Sequence, residues 1–456
     1  MSRGWLPTAP PALRDPTERT TLTDPGRPLL IRRARLLDPA RGRDEVSDVL
    51  VENGGVAAEG TIGPQPGSCE TIEADGLWLM PGLTDMHVHL REPGGGESET
   101  IASGLRAAVA GGFTTVAAMP NTLPPADTPG RIRDLVEKGR MAGTARLLPV
   151  GCITEGRSGG RIADIEGMAA AGAVAFSDDG SPVLDEGILK EAMAAAGRTG
   201  TVVVQHAELP WLEPGGVVNR GPVSESLGIP GIPAESETGA VESTVRVAES
   251  CGGRVHLTHL SLPESVGIVH EARLRGARVT CDVTPHHLAL DDTEVLTSGS
   301  MAKMNPPLRS GRDRGRLVDL VARGWVTAVA SDHAPHAAEL KAKGLMDAPF
   351  GITGLETALS VTLSVLTGGP EPMPVLDVLA LFTTGPCGAL GIPCPSLPPG
   401  APFNAVLFDP DETWTPSRRT MFSGSTNTPF LGRPLRGRVK AVWTGRRIFR
   451  DGAFES

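Results

Sequence analysis

Eight short apolar runs that alternate with longer helix-like segments predict an α/β protein, a (β/α)8 barrel of the TIM type. Further β-type runs at both ends of the chain lie outside this alternation and predict a small β-sandwich satellite domain formed from both chain ends. The composition agrees with a globular protein, because 40% of the 456 residues are hydrophobic and 21% are charged. High counts of Gly (57) and Pro (41) indicate many loops.

The two ends of the chain differ in pattern from its middle. Residues 1–28 are Pro-rich, lack a continuous apolar run and are expected to form a flexible leader. Short β-type runs occupy residues 29–82 and return in residues 391–456 after a Pro-rich segment. We therefore expect these two segments to fold together as the satellite domain, with residues 83–390 as the barrel.

The eight central runs are the predicted barrel strands. They are LTDMHVH from Leu83, FTTVAAM from Phe113, RLLPV from Arg146, AVAFS from Ala173, VVVQH from Val202, RVHLTHL from Arg254, RVTCD from Arg278 and VTAVASD from Val326. The segments between them are Ala-rich and begin with acidic residues and Ser or Thr, as helix N-termini do. Eight is the number of strands that closes this kind of barrel.

Charge and cysteine usage limit the class of partner. A formal net charge of −10 argues against binding to nucleic acid or to an anionic membrane surface. The six cysteines occur without a CxxC pair, which favours reduced thiols over a disulfide framework or thiolate-bound zinc. No apolar run reaches the roughly 18 residues that span a bilayer. We expect a cytoplasmic protein that does not contact a membrane.

Polar residues end several of the predicted strands. His87 and His89 lie two residues apart, so both point to one face of their strand, although an HxH pair alone is weak evidence for a metal site. The other strand-end residues are Asp178 and Asp179 on the fourth strand, His206 on the fifth, His259 on the sixth and Asp332 on the eighth. Active sites of this fold gather at the carboxyl ends of the strands. Imidazoles and carboxylates in this number suit two divalent ions such as zinc.

A series of motifs runs from about Leu29 to the C-terminus. They are PGLTDMHVHLREPG, MPNT, AFSDDG, HAEL, THLS, DVTPHHL, KMNPPLR, SDHAPH, PFGITGLET and NTPFLG. With these motifs the chain resembles the amidohydrolase superfamily and, within it, the bacterial type I dihydroorotases. The resemblance implies reversible hydrolysis of (S)-dihydroorotate to N-carbamoyl-L-aspartate in pyrimidine biosynthesis, by a hydroxide shared between two zinc ions per subunit.

The same resemblance assigns roles residue by residue. It implies one zinc ion on His87, His89 and Asp332 and another on His206 and His259, with Asp179 bridging them. It implies that Asp332 also acts as the catalytic proton shuttle. It places the substrate against His89, Arg91, Asn121, Asn305, His336 and the backbone of Phe350 and Gly351. Because adjacent residues on a strand point opposite ways, only one of Asp178 and Asp179 can face the metals, and the family motif selects Asp179.

The substrate carboxylate is the feature that hydantoins and dihydrouracil lack. Arg91 offers a planar fork for two hydrogen bonds to this carboxylate, and the alternative for Arg91 is a salt bridge to Glu92. After the eighth strand, the stretch HAAELKAKGLMDAPFG is expected to form a loop over the site.

Two other functions stay open at this point. Allantoinases and dihydropyrimidinases are related cyclic amidohydrolases, but many of them bridge their metals with a carboxylated lysine, and AFSDDG contains no lysine. Some relatives are non-catalytic partners of aspartate transcarbamoylase that have lost metal ligands, whereas every ligand position is filled here. The resemblance further implies a homodimer and a possible association with aspartate transcarbamoylase.

The remaining strand-end histidines are expected to be structural. His256 lies three residues before the proposed ligand of the sixth strand, which would turn it to the outer, helix-packed face. His286 and His287 follow the seventh strand and are expected to support the loops. His333 is expected to face away from its neighbour Asp332.

Overall fold

The computed structural model describes residues 27–455, except 64, 66, 68, 445 and 446. Residues 1–26 of the predicted leader therefore lie outside the described residues. All six cysteines are free thiols. Within the described ranges, every helix is too short or too polar to cross a membrane.

The described residues form two principal sheets and one short strand pair. The strands are β1 (Leu29–Asp38), β2 (Arg43–Glu52), β3 (Gly55–Gly60), β4 (Glu70–Glu73), β5 (Trp78–Pro81), β6 (Leu83–Val88), β7 (Phe113–Ala118), β8 (Arg146–Gly151), β9 (Ala175–Phe176), β10 (Val202–His206), β11 (Val218–Asn219), β12 (Gly231–Ile232), β13 (Val255–Thr258), β14 (Val279–Val283), β15 (Ala328–Val329), β16 (Asn404–Trp414), β17 (Leu435–Thr444), β18 (Arg447–Arg450) and β19 (Ala453–Phe454).

Helices follow most of the barrel strands. They are α1 (Ile101–Ala110), α2 (Pro129–Ala142), α3 (Ile165–Ala170), α4 (Glu186–Thr199), α5 (Pro222–Leu227), α6 (Ala234–Cys251), α7 (Pro263–Leu274), α8 (Pro285–Ala289), α9 (Glu294–Ser298), α10 (Gly311–Ala322), α11 (Ala338–Lys341), α12 (Gly344–Asp347), α13 (Ala358–Thr367), α14 (Val375–Ala380) and α15 (Thr384–Leu390). Their ends carry the expected caps: Thr100 accepts a hydrogen bond from Ser103 N at the start of α1, and Gly200 ends α4 in the left-handed conformation.

The barrel prediction is confirmed. Each predicted run overlaps one of eight parallel strands, paired in the order β6, β7, β8, β9, β10, β13, β14 and β15. The first and last strands approach each other through a parallel bridge between Val88 and His333, where His89 N–H donates to His333 O at 2.8 Å. The sheet is thus nearly closed, and the carboxyl ends of its strands meet at one pole.

Two apolar layers hold the barrel together. Small and branched side chains such as Val150, Val204 and Ala330 fill its interior. Phe113 and Leu257 pack outward against the helices, in the larger cluster that surrounds the barrel. Polar side chains at the strand ends therefore lie above a dry core, where an unpaired polar atom is costly.

Both chain ends build the satellite domain, as predicted. Strands β1–β5 and β16–β19 form one hydrogen-bonded sheet with its own core, which includes Ile31 and Trp443. The sheet curls around this core, because Val56 on β3 exchanges backbone hydrogen bonds with Gly400 and Ala401, which lead into β16. The domain boundaries at 82/83 and 390/391 stay predictions.

One part of the satellite domain returns to the barrel. Residues 415–434, here called the connecting loop, join β16 to β17. Ser425 Oγ donates to Ser98 O at 2.6 Å, and Gly424 N donates to the Glu99 carboxylate at 2.9 Å. The connecting loop therefore packs beside the loops that follow the barrel strands.

Candidate metal centre and substrate pocket

The six predicted metal ligands meet at the carboxyl pole of the barrel, and all are buried. They are His87 on β6, His89 after it, Asp179 after β9, His206 at the end of β10, His259 after β13 and Asp332 after β15. Parallel strands that end at one pole bring these residues together although they are far apart in the chain.

Three of the predicted site residues have left-handed backbone conformations. The φ angles are 57° at Arg91, 41° at His259 and 46° at Asp332. Such conformations cost a non-glycine residue about 1–3 kcal/mol and persist only where surrounding contacts hold them. At His259 the backbone N–H donates to Asp282 Oδ1 at 2.7 Å. The strain turns these side chains out of the regular strand alternation and into the site.

Asp179 occupies the centre of the cluster. Its Oδ1 atom lies 3.4 Å from His87 Nε2, 3.5 Å from His206 Nδ1 and 3.6 Å from His259 Nε2. Its Oδ2 atom lies 3.6 Å from His89 Nε2. Two groups of three potential ligands share this carboxylate, with the ligand atoms of each group within 4.8 Å of one another. Asp179 is thus placed to contact two cations at once.

Asp332 lies on the side of the first histidine pair. Its Oδ1 atom is 3.0 Å from His89 Nε2 and 3.5 Å from His87 Nε2. The adjacent Asp178 points elsewhere, since it accepts hydrogen bonds from Ile153 N and Thr154 N. The two neighbouring aspartates therefore face opposite ways, as strand geometry predicts.

Hydrogen bonds on the far side of the rings select the nitrogen that each imidazole presents. His89 Nδ1 lies 2.8 Å from Asn121 Oδ1, and His206 Nε2 lies 2.9 Å from Glu208 Oε2. Both partners are acceptors, so these nitrogens carry the protons and the opposite nitrogens are free to bind a cation. Asn121 also donates to Asp179 Oδ2 at 3.1 Å.

The cluster fits a metal ion on the evidence of two buried atoms. His87 Nε2 and Asp179 Oδ1 make no hydrogen bond with the described residues. Buried polar atoms without a partner are rare, and a lone pair on nitrogen facing a carboxylate oxygen requires a cation or a proton between them. Imidazole nitrogen and carboxylate oxygen are the donor atoms of zinc and similar divalent ions.

The electrostatics of the cluster also call for positive charge. Although burial disfavours the charged ring, the Asp179 carboxylate raises the pKa of His87 to about 9 and helps to raise the pKa of His206 to about 10. Burial also works against the ionised form of Asp179, but the imidazoles hold the pKa of this carboxyl well below its usual range. Bound cations would satisfy the same carboxylate without protonating the rings.

Arg91 and His336 lie side by side and form a candidate substrate-binding group. Arg91 Nη2 lies 3.1 Å from His336 Nε2, and Arg91 Nε donates to Pro335 O at 3.1 Å. Burial, reinforced by Arg91, lowers the pKa of His336 to about 3, so its ring is neutral and donates through Nε2 to Phe350 O at 2.7 Å. The predicted alternative for Arg91 is not formed. Glu92 pairs instead with Lys138, at 2.7 Å.

A cavity of about 390 Å³ lies beside this group. Its walls include Glu208, Lys303, Asn305, Met346 and Phe350. Asn305 Nδ2 donates to Glu208 Oε2 at 2.9 Å, and the same Glu208 atom contacts the proposed ligand His206. Glu208 therefore contacts both the cavity and the ligand cluster.

One sequence prediction is wrong. His256 is buried, but it does not face the helices, because its Nε2 atom lies 2.7 Å from Asp282 Oδ2. Asp282 also accepts from Thr258 Oγ1 at 3.0 Å, and Thr258 reaches His87 in the barrel interior. Side chains two apart on a strand share a face, so His256 points inward with Thr258. The left-handed backbone at His259 interrupts the alternation on which the prediction depended.

The other histidines occupy structural positions. His287 lies 3.0 Å from Pro306 O, and His286 is buried beside it with its Nε2 atom unpaired among the described residues. His333 points away from Asp332, as predicted, and its Nε2 atom lies 3.3 Å from Glu99 Oε2.

Sequence reasoning missed several supporting residues. Asp282 ends the seventh predicted strand, so the search for polar residues at strand ends that found the proposed ligands could have found this supporting residue too. Glu208 lies two residues after a predicted ligand within the motif HAEL. For Thr258 and Asn427, which lie within the motifs THLS and NTPFLG, and for Lys341, no local pattern indicates which groups their side chains contact.

The fold and the site define a barrel hydrolase of the amidohydrolase type, with a candidate metal centre at the carboxyl pole. A family model described as dihydro-orotase-like matches residues 76–265. The dihydroorotase of Pelotomaculum thermopropionicum is 42% identical over 92% of this chain and 98% of its own length, and that of Geobacter metallireducens is 40% identical over 92% and 99%. This chain belongs to the dihydroorotase family.

Solved structures share the fold at low sequence identity. The L-hydantoinase (dihydropyrimidinase) from Arthrobacter aurescens is 24% identical, with a TM-score of 0.81 over 94% of this chain and 97% of that chain. The dihydropyrimidinase from Brevibacillus agri is 22% identical, with a TM-score of 0.80 over 94% and 96%. These likenesses concern the arrangement of barrel and satellite sheet.

Proposed function

We propose that this chain is a zinc-dependent dihydroorotase that interconverts (S)-dihydroorotate and N-carbamoyl-L-aspartate. The observation that carries the proposal is the position of the Arg91 and His336 donors beside the ligand cluster. Arg91 follows the proposed ligand His89 by two residues, and Arg91 Nε donates to Pro335 O, three residues after the proposed ligand Asp332, so the cationic fork lies next to the cluster. A cyclic amide that also bears a carboxylate matches both parts of this pocket.

His87, His89 and Asp332 would hold one zinc ion and His206 and His259 a second, with Asp179 within reach of both. Zinc is proposed because four imidazoles and two carboxylates suit a borderline divalent ion. Such ions supply Lewis-acid polarisation of a carbonyl group and acidify water.

The residues of the chain orient the substrate and move its proton. Arg91 binds the substrate carboxylate, with further contacts from His89, Asn121, Asn305, His336 and the backbone of Phe350 and Gly351. In hydrolysis, Asp332 accepts the proton that the attacking water releases and delivers it to the ring nitrogen as the C–N bond breaks. Cyclisation follows the same path in reverse.

Substrate comparison tests this proposal against its alternatives. The purified protein is assayed with dihydroorotate, N-carbamoyl-L-aspartate, hydantoin, dihydrouracil and allantoin, and its metal content is measured. We expect turnover of the first two and bound zinc near two equivalents per chain. Faster turnover of a ring without a carboxylate would favour another cyclic amidohydrolase, and no turnover at full metal occupancy would favour a non-catalytic partner of aspartate transcarbamoylase.

A ligand variant tests the metal assignment. His206→Ala is expected to lose both zinc and turnover. His270→Ala is the matched control, since the His270 ring stacks on Trp325 with centroids 3.8 Å apart on the α7 side of the fold. Full activity of His206→Ala after metal depletion would contradict the two-ion arrangement.

Assembly and location stay predictions from the family resemblance. We propose a cytoplasmic homodimer that can associate with aspartate transcarbamoylase. Light scattering after size-exclusion chromatography, with the chain alone and with a homologous transcarbamoylase, measures both assemblies. A single monomer peak under both conditions would contradict them.

A further inference from the structure

The carbonyl oxygen of Gly351 receives two hydrogen bonds from different parts of the chain. Lys341 Nζ donates to it at 3.0 Å, and Asn427 Nδ2 donates to it at 3.1 Å. Gly351 N donates to Lys303 O at 2.9 Å. Both backbone groups of Gly351 are therefore held by the protein itself.

Lys341 is an unusual side chain for this position. It is only 1% exposed, and its ammonium also donates to Pro349 O at 2.9 Å. Within the described residues its hydrogen-bond partners are carbonyl oxygens, and it forms no ion pair with a carboxylate. Lysine is almost never fully buried without such a partner, because its charge must be desolvated. The carbonyl oxygens of Lys303, Pro349 and Gly351 compensate for part of that cost.

Asn427 reaches the same place from the connecting loop of the satellite domain. It is 2% exposed, its Oδ1 atom accepts from His336 N at 2.9 Å, and its Nδ2 atom also donates to Ala334 O at 3.1 Å. One side chain thus binds the backbone on both sides of the segment that carries His336. Its orientation is unambiguous, since the oxygen faces an N–H group and the nitrogen faces two carbonyls.

Gly351 packs too closely against Ala334 to carry a side chain. Its φ angle is +116°, and a Cβ atom there would lie 2.4 Å from Ala334 Cβ. Phe350 O, one residue earlier, lies 2.7 Å from His336 Nε2. The position of the Phe350–Gly351 peptide therefore also sets the position of the His336 ring.

We propose that Lys341 and Asn427 are positioning residues that hold the Phe350–Gly351 segment and His336 in the geometry that receives the substrate. This inference rests on the proposed function, because both supported groups are proposed substrate contacts. It assigns a role to Lys341, in the helix that follows the motif SDHAPH, and to Asn427, in the motif NTPFLG. The proposed metal chemistry uses neither residue. It also makes the satellite domain part of substrate recognition.

Two substitutions test the proposal by independent routes. Lys341→Met keeps the length of the side chain and removes the ammonium. Asn427→Asp keeps the shape and replaces two donated hydrogen bonds by a carboxylate that faces two carbonyls. Lys343→Met and Thr426→Val are the matched controls, since Lys343 is exposed and Thr426 is only partly buried beside each target.

Turnover and hydrogen exchange give separate readouts. For both targets we expect KM for dihydroorotate to rise at least about tenfold, because a small displacement of a positioning group is costly. Zinc content should stay at the wild-type value, and kcat should change less than KM. We also expect amide exchange of the peptide covering residues 345–355 to accelerate at least about tenfold, since Gly351 O loses a donor that holds this segment in place and local opening becomes easier. The controls should match the wild type in both.

The outcomes separate this inference from the proposed function. A wild-type protein that does not turn over dihydroorotate defeats the proposed function, and the exchange measurement still decides whether the two residues hold the segment. If the wild type is active, and both the KM and the exchange rate of Asn427→Asp stay within twofold of the wild-type values, the inference is overturned. If Lys341→Met fails to fold, Asn427→Asp alone decides, with thermal unfolding as the check on its stability.

Discussion

Thr258 Oγ1 lies 2.7 Å from His87 Nδ1 and donates its own proton to Asp282 Oδ2 at 3.0 Å. Because the hydroxyl proton is committed to the carboxylate, Thr258 accepts the proton of His87 Nδ1. When a cation occupies the cluster and the His87 ring is neutral, its proton therefore stays on Nδ1, and Nε2, the buried nitrogen that lacks a partner, faces the cation. A chain of three residues on three strands sets the form of one proposed ligand.

Thr258→Val removes the acceptor while keeping the shape of the side chain. We expect metal affinity to fall about 10-fold to 100-fold, the usual effect of losing a hydrogen bond to a ligating histidine, with a smaller effect on folding. Zinc competition with a chromophoric chelator measures the change. Thr114→Val is the control, because the buried Thr114 hydroxyl makes no hydrogen bond with the described residues. Equal affinities in the two variants would contradict the role of Thr258.

Asp332→Asn separates metal contact from proton transfer. Asn keeps an oxygen near His89 but cannot accept a proton, so we expect turnover in both directions to fall by about 10² to 10⁴. Zinc content and substrate affinity should change much less. Rates in both directions and zinc are measured on one preparation, with the exposed Asp134→Asn as the control. Near-normal rates would show that another group carries the proton, with His336 the first to examine.

Arg91→Lys tests the carboxylate anchor. Lysine keeps the charge but loses the planar fork, and it cannot make both of the contacts seen to His336 and Pro335. We expect KM for dihydroorotate to rise by at least about tenfold with unchanged zinc content. Arg140→Lys is the control, as the Arg140 side chain is 65% exposed. Loss of zinc with normal substrate affinity would assign Arg91 to the metal centre instead.

Glu356 predicts a pH dependence of stability. Burial raises its pKa from 4.5 to about 8, although Phe422 N donates to it at 2.7 Å and Ser423 N at 3.3 Å. The folded protein then binds this proton more tightly than the unfolded chain does. The stabilisation is complete below pH 4.5 and is lost as the pH rises through about 8.

Glu356→Gln removes this titration and keeps a polar side chain of the same shape. We expect the free energy of unfolding of the wild type, relative to that of the variant, to fall by a few kcal/mol between pH 5 and 9, since one pKa unit corresponds to about 1.4 kcal/mol. Urea unfolding across this range measures the difference. The exposed Glu371→Gln is the control. A difference that does not change with pH would contradict a raised pKa at Glu356.

Local sequence patterns determined the barrel strands and most of the proposed ligands. A strand alternates with period two and ends at a polar residue, so His87, His206 and Asp332 can be recognised from the residues beside them. Closure of the barrel then requires that these ends meet at one pole. No knowledge of remote contacts is needed for that step.

Only the tertiary structure decided how each ligand is held. His256 and His259 both point inward although they lie three residues apart, because a left-handed backbone at His259, which Asp282 stabilises from the next strand, interrupts the alternation. Lys341 and Asn427 meet at Gly351 although they lie far apart in the chain. Periodicity in the sequence indicates which face of an element is apolar. A hydrogen bond between residues that are remote in the chain depends on how whole elements pack, and no local pattern encodes that packing.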